Sequence, residues 1–157
     1  MRVMVARAAA CVGKRTAMRI PMRVDYGVRA VVALALQVQG GRPVRTAEIA
    51  GRQAVPEAYL DQVLTTLNKF GFIRSRRGPR GGHVLARPAA DISLNDVVET
   101  LEGRSAPLDC IEDASECSLA QACSQRDIWK DVEDAIREVL NTTSVGDLAD
   151  RQMRAVA

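Results

Sequence analysis

Three of the four cysteines in this chain crowd into one stretch, Cys110, Cys117 and Cys123, with six and then five residues between them. The same stretch carries Asp109, Glu112, Asp113 and Glu116, so the thiols sit in acidic, loop-like surroundings. Clustered thiolates can grip an iron–sulfur cluster, form disulfides on oxidation as a redox switch, or pack inertly. Zinc suits the pattern poorly, because structural zinc takes four close Cys or His ligands, often as Cys-x-x-Cys pairs. No such pair is present, and the only histidine, His83, lies far upstream. In a cytosolic chain structural disulfides are rare, so three gathered thiols point to a metal or redox site.

A second concentration of chemistry is RRGPRGG, in which Arg76, Arg77 and Arg80, with Arg74 just before, crowd one glycine-rich turn. Like charges on one loop repel unless something anionic neutralises them. The charge of the whole chain is divided the same way. Residues 1–41 hold seven Lys/Arg against one Asp (+6), residues 42–90 nine against three acids (+6), and residues 91–157 six against fifteen (−9), for the net +3. A basic front half is the footprint of a polyanion site, although a solvated basic face would read the same from composition alone.

These groups need elements to hold them. Apolar residues from Tyr26 through Val28, Val31, Val32, Leu34, Ala35 and Leu36 to a Gly40-Gly41 stop predict a first helix. Thr46 before Ala47-Glu48-Ile49-Ala50 reads as the cap of a short second helix. Pro56 suits the first turn of a third, running to about Lys69. In that helix Leu60, Val63, Leu64 and Leu67 form a buried stripe, and Glu57, Asp61, Gln62, Thr65, Thr66 and Lys69 lie opposite. Two short helices joined by a tight turn form a helix-turn-helix, whose second helix presents polar side chains. Phe72-Ile73-Arg74-Ser75 and His83-Val84-Leu85-Ala86 are strand-like runs that flank the basic turn and predict a hairpin, or wing. Ser93 then caps a helix ending at Gly103, and from about Gln125 a longer helix aligns Ile128, Trp129, Val132, Ile136, Val139 and Leu140 on one face. A monomer this small has little else to cover that stripe, so the same helix of a second chain is the expected cover, with the chain's own DNA-binding part as the alternative.

The expected fold is therefore mainly α with a small β-hairpin: a winged helix-turn-helix plus a long C-terminal dimerisation helix. Residues 1–17, including Cys11, read as a disordered tail or an upstream start. Residues 18–90 form the DNA-binding domain, 91–108 a linking helix, 109–124 the cysteine-rich loop and 125–157 the dimerisation helix and tail. Arg7 interrupts the apolar N-terminus and no run of about 18 apolar residues exists, so a soluble, cytoplasmic, nucleoid-associated protein is expected, without export or membrane insertion. No nucleophile–base pair or phosphate-binding glycine loop suggests an enzyme.

At this point the chain resembles a known family, that of IscR, NsrR and RirA, over roughly Met18 to Arg151. The resemblance rests on MRIPMRVDYGVRAVVALAL, on RRGPRGG, on Ile-Ser-Leu-Asn-Asp-Val-Val, on the cysteine triplet, and on the Trp129 helix with its Val145-Gly146-Asp147-Leu148 tail. It implies a homodimeric repressor or activator that holds an iron–sulfur cluster near the dimer interface and changes its affinity for operator DNA when the cluster is lost, oxidised or nitrosylated. Cys110, Cys117 and Cys123 match the cluster ligands. In IscR-like members a histidine follows the last cysteine by three residues, where this chain has Arg126. In NsrR-like members an aspartate reaches across from the other subunit, and Asp25 stands at the matching place, with Cys11 and Glu116 as weaker candidates. An aspartate ligand favours a four-iron over a two-iron cluster; Asp25 also reads simply as an N-cap or first-turn acid. The resemblance puts Tyr59, Asp61 and Gln62 at the exposed start of the recognition helix and Arg77 in the wing. Gln can bridge adenine, Asp can accept from cytosine N4, and Arg suits a narrow minor groove. Thr46, Arg74, Arg76 and Arg80 complete the expected DNA-binding set. A metal-free thiol regulator of the same fold and an iron–sulfur carrier that ignores DNA are the alternatives.

Overall fold

The computed structural model describes residues 20–37, 42–103 and 108–156. The upstream segment with Cys11, and the Gly40-Gly41 stop, lie outside the described residues.

Helix α1 (Met22–Leu36) is the hub, touching both helices of the helix-turn-helix, the second strand of the hairpin, the helix that follows the hairpin and the C-terminal helix. Its run of Val24, Ala30, Val31, Val32, Ala33 and Leu34 is buried almost all round, as a central helix requires. Helices α2 (Thr46–Gln53) and α3 (Glu57–Lys69) follow. The expected cap at Thr46 is corrected here: Arg45 is the N-cap of α2, with no side-chain capping bond, and Thr46 is already helical. Its hydroxyl is engaged elsewhere, as described below. Pro56 stands at the N-cap of α3, where its carbonyl accepts from the amides of Tyr59 (3.2 Å) and Leu60 (3.0 Å). Leu60, Val63, Leu64 and Leu67 are buried, as their spacing predicts.

Strands β1 (Ile73–Arg76) and β2 (Gly82–Leu85) pair antiparallel, with Ile73 opposite Leu85 and Arg76 opposite Gly82. The tight turn uses Gly78 at φ 104° and closes with the Gly81 amide donating to the Gly78 carbonyl at 2.8 Å. Gly82 is required for a second reason. At φ 147° a Cβ there would stand 2.7 Å from the Val44 carbonyl oxygen, because Val44 exchanges both backbone hydrogen bonds with His83 and extends the hairpin by one residue.

Helix α4 (Leu94–Glu102) starts at Ser93, whose hydroxyl accepts from the Asp96 amide at 3.0 Å, and ends at Gly103 with φ 82°. Gly27 of α1 lets α4 come close, since a Cβ there would run into the Leu101 side chain. The cysteine segment contains a single helical turn, α5 (Asp109–Glu112), and a tighter turn at Ala114–Glu116. Helix α6 (Arg126–Thr142) buries none of its residues. Residues 145–156, read from sequence as a tail, form a further helix, α7 (Val145–Val156), which doubles back. It packs along α1 and the turn Ala89–Asp91, burying Val145 and Ala149. Two backbone bonds lock that return: Leu94 N–H to the Thr143 carbonyl (2.8 Å) and Val145 N–H to the Ile92 carbonyl (2.9 Å).

Candidate nucleic-acid interface and cysteine loop

The start of α3 and the wing share one cleft, lined among others by Arg45, Thr46, Glu57, Asp61, Arg76 and His83. Tyr59, Asp61 and Gln62 are exposed on α3, and Tyr59 is steadied by an edge-to-face contact with Tyr26, ring centroids 5.5 Å apart. Arg74, Arg76, Arg77 and Arg80 are all exposed, and among the described residues none is paired with a carboxylate. Four such guanidinium groups on one hairpin, with Arg76 lining the cleft it shares with the start of α3, make a surface that attracts phosphate.

Thr46 differs from the rest of the expected set. It is half-buried, and its Oγ1 lies 3.0 Å from His83 Nε2, while His83 Nδ1 lies 2.9 Å from Ser75 Oγ. One imidazole thus ties Thr46, the first residue of α2, to Ser75 of β1. Burial pushes the His83 pKa below 6.5, partly offset by the negative charge of Asp61. Two further ties hold the wing: Arg45 donates through Nη2 to the Pro79 carbonyl at 2.6 Å, and the Ser75 amide donates to Asn68 Oδ1 at 3.2 Å. Sequence reasoning missed Arg45, Ser75 and the role of His83. Their partners lie 7 to 37 residues away in the chain, a separation that no local pattern reports.

Cys110, Cys117 and Cys123 are free and half-buried. Arg126 joins the two ends of their segment: its Nε donates to the Cys110 carbonyl at 2.8 Å and its amide to the Cys123 carbonyl at 3.4 Å. Among the described residues, no three His, Cys, Asp or Glu side chains are grouped to hold a metal ion. Asp25 lies in the first turn of α1, and both its oxygens are taken by Arg29, each at 3.0 Å. Glu116 is exposed in the turn after α5.

The first turn of α6 therefore grips the cysteine segment, and the rest of the helix carries the apolar stripe. Val132, Ile136 and Leu140 are half-buried, in a helix that touches α4, whereas Ile128 (62% exposed), Trp129 (40%) and Val139 (63%) are left uncovered. The chain's own α4, in the segment read from sequence as a linking helix, meets part of α6, and Ile128, Trp129 and Val139 stay exposed.

The profile of the Rrf2 family, described as "Iron-dependent Transcriptional regulator", matches residues 20–151. The chain belongs to the Rrf2 family. The protein rrf2 of Nitratidesulfovibrio vulgaris is 36% identical over 131 residues, covering 83% of this chain and 87% of that one. Among solved structures, CymR, the global cysteine regulator of B. subtilis, superposes with a TM-score of 0.72 at 31% identity, covering 86% of this chain and 98% of that one. IscR of T. potens gives 0.70 at 32% identity, covering 88% and 90%. This Rrf2-family chain is a transcriptional regulator built on a winged helix-turn-helix, and the resemblance to IscR-type proteins drawn from its motifs holds. Among the described residues no helix is long and apolar enough to cross a membrane.

Proposed function

We propose that this chain is a homodimeric repressor whose affinity for double-stranded operator DNA is set by an iron–sulfur cluster, held by Cys110, Cys117 and Cys123 with Asp25 of the second subunit as fourth ligand. The observation that carries the reading is the double use of α6: one end grips the cysteine segment through Arg126, and the same helix presents Ile128, Trp129 and Val139 uncovered. Whatever changes the segment is felt at the surface that pairs the two chains.

The donor set is of the right chemistry for a cluster, with three free, soft thiols in one short segment and no disulfide between them. In a single chain those thiols are not gathered, so holding the group requires the segment to close. When bound, the cluster would supply a centre that nitric oxide or oxidants attack and that iron limitation leaves unfilled. The chain's own residues do the rest. Arg126 fixes the ends of the segment to α6, Asp25 would have to give up Arg29 to hold the cluster, and α6 would set the spacing of two reading heads. A coupling of about 1–3 kcal/mol changes operator occupancy roughly 5- to 150-fold, so a small shift suffices.

A second reading, a metal-free thiol switch, draws on the three free cysteines and on the likeness to CymR of Staphylococcus aureus, a structure of which is described as an oxidized form. One experiment separates them. Protein purified without oxygen is assayed for iron, sulfide and visible absorption, beside Cys117→Ala. Stoichiometric iron and sulfide with a visible band that the variant loses is the expected result. A colourless protein that releases DNA on peroxide and regains it with a thiol reductant would replace the cluster by the switch.

A further inference from the structure

An α-helix with its side chains is about 10–12 Å across and fills a major groove about 12 Å wide, so phosphates of both strands flank it. In α3 the two flanks can be assigned. Glu57 and Asp61 lie on the edge facing the wing, with which they share a cleft. At about 100° per residue, Tyr59 and Thr66 fall roughly 140–180° round from them, on the opposite edge of the exposed face. That opposite edge abuts the first turn of α1. There Arg23, exposed, donates from Nη2 to Thr66 Oγ1 at 3.0 Å, and Arg23, Tyr59, Gln62, Val63 and Thr66 line a second cleft.

From this arrangement we infer that Arg23 is a phosphate contact on the flank of the recognition helix opposite the wing, so that α1 and the wing grip the two strands bordering one major groove. The inference rests on the DNA-binding reading. Its physical case is positional. Among the described residues, Arg23 is the only basic one lining the α1–α3 cleft, whereas the wing side holds Arg45 and Arg76. One hydrogen bond to Thr66 ties the guanidinium to α3, and among the described residues its other donors have no partner. Thr66 is itself held, donating to the Gln62 carbonyl at 3.1 Å. Arg23 is thus pre-positioned beside Gln62, a base-reading candidate, and its contact would hold that residue in register. No carboxylate competes for it among the described residues.

The test is fluorescence anisotropy of the full-length protein on a duplex that it selects from fragments of its own genome, with salt varied from about 50 to about 200 mM. Arg23→Ala should weaken binding roughly tenfold, equally on the selected and a scrambled duplex, and lower the salt slope by about 0.9 per chain. Arg23→Lys should keep the slope. Thr66→Val should keep it too while losing a smaller part of the affinity. Should the alanine variant fail to fold, Arg23→Gln, which keeps most of the aliphatic stem and loses the charge, carries the same expectation. An unchanged slope with a lowered melting temperature would make Arg23 a strut between α1 and α3 and overturn the inference. If the unaltered protein bound no duplex at any salt, the DNA-binding reading itself would fail, and this one with it.

Discussion

At the scale of single residues, the wing is positioned by one imidazole. His83 reaches Thr46 with one nitrogen and Ser75 with the other, and the half-buried ring is held below its ordinary pKa of 6.5 by desolvation. The sign of the pH dependence follows. The unfolded chain binds a proton at 6.5 that the folded chain resists, so this contribution to stability is complete above that pH and is lost on acidification below it. A protonated ring would also have no acceptor to offer either hydroxyl, although both hydroxyls could turn to accept. We therefore expect the melting temperature to fall between pH 7.5 and 5.5, and His83→Gln to flatten part of that fall. Identical pH profiles for the two proteins would show that the ring is not the titrating group. The histidine was visible in the sequence as the only one of its kind, but its partners were not. The arginines were legible because four like charges in seven residues are a local fact, whereas a Thr46–His83–Ser75 relay exists only once the hairpin has folded against α2.

At the scale of elements, what could be read from sequence was what repeats. The buried stripe of α3 recurs at three and four residues, and the wing is punctuated by glycines, so both were predictable. Helix α7 was read as a tail because its buried residues are only Val145 and Ala149, too small a stripe to announce a packed face. Its burial comes from the surface that α1 offers and from the backbone bonds at Ile92 and Thr143, both set by tertiary structure. The turn between α2 and α3 was predicted in place but not in conformation. Ala54 closes α2 in the left-handed region at φ 52°, among the described residues the only non-glycine with positive φ. Its backbone is anchored on the next residue, where the Val55 amide reaches the Ala50 carbonyl at 3.0 Å and the Val55 side chain is buried. A Cβ in that region costs about 1–2 kcal/mol, partly offset because alanine narrows the unfolded ensemble. Ala54→Gly should therefore stabilise the fold by about 0.5–1 kcal/mol, read as a rise of a few degrees in melting temperature. A drop would mean that the left-handed turn is not strained in solution.

At the scale of the whole molecule, the problem is the part of α6 that none of the described residues covers. Ile128, Trp129 and Val139 expose apolar surface on a helix whose charged residues include the half-buried Arg137–Glu133 pair at 2.7 Å. Helix α4 already occupies part of the other side, so the open stripe has room for a second helix, and a twofold axis would set the same residues of two chains against each other. Two reading heads joined in this way bind two half-sites as one event, and separating them forfeits the effective-concentration advantage. Ile128→Asp would bury a charge in that contact at a cost of several kcal/mol if the stripe is the interface. The variant should run as a monomer in sedimentation velocity while keeping its helical circular dichroism, and should bind a full operator at least tenfold more weakly, with binding to a half-site nearly unchanged. Glu138→Ala, on the exposed acidic side of the same helix, should do neither. A dimer that survived Ile128→Asp would place the subunit contact elsewhere, and the link from the cysteine segment through α6 to the spacing of the reading heads would have to be abandoned with it.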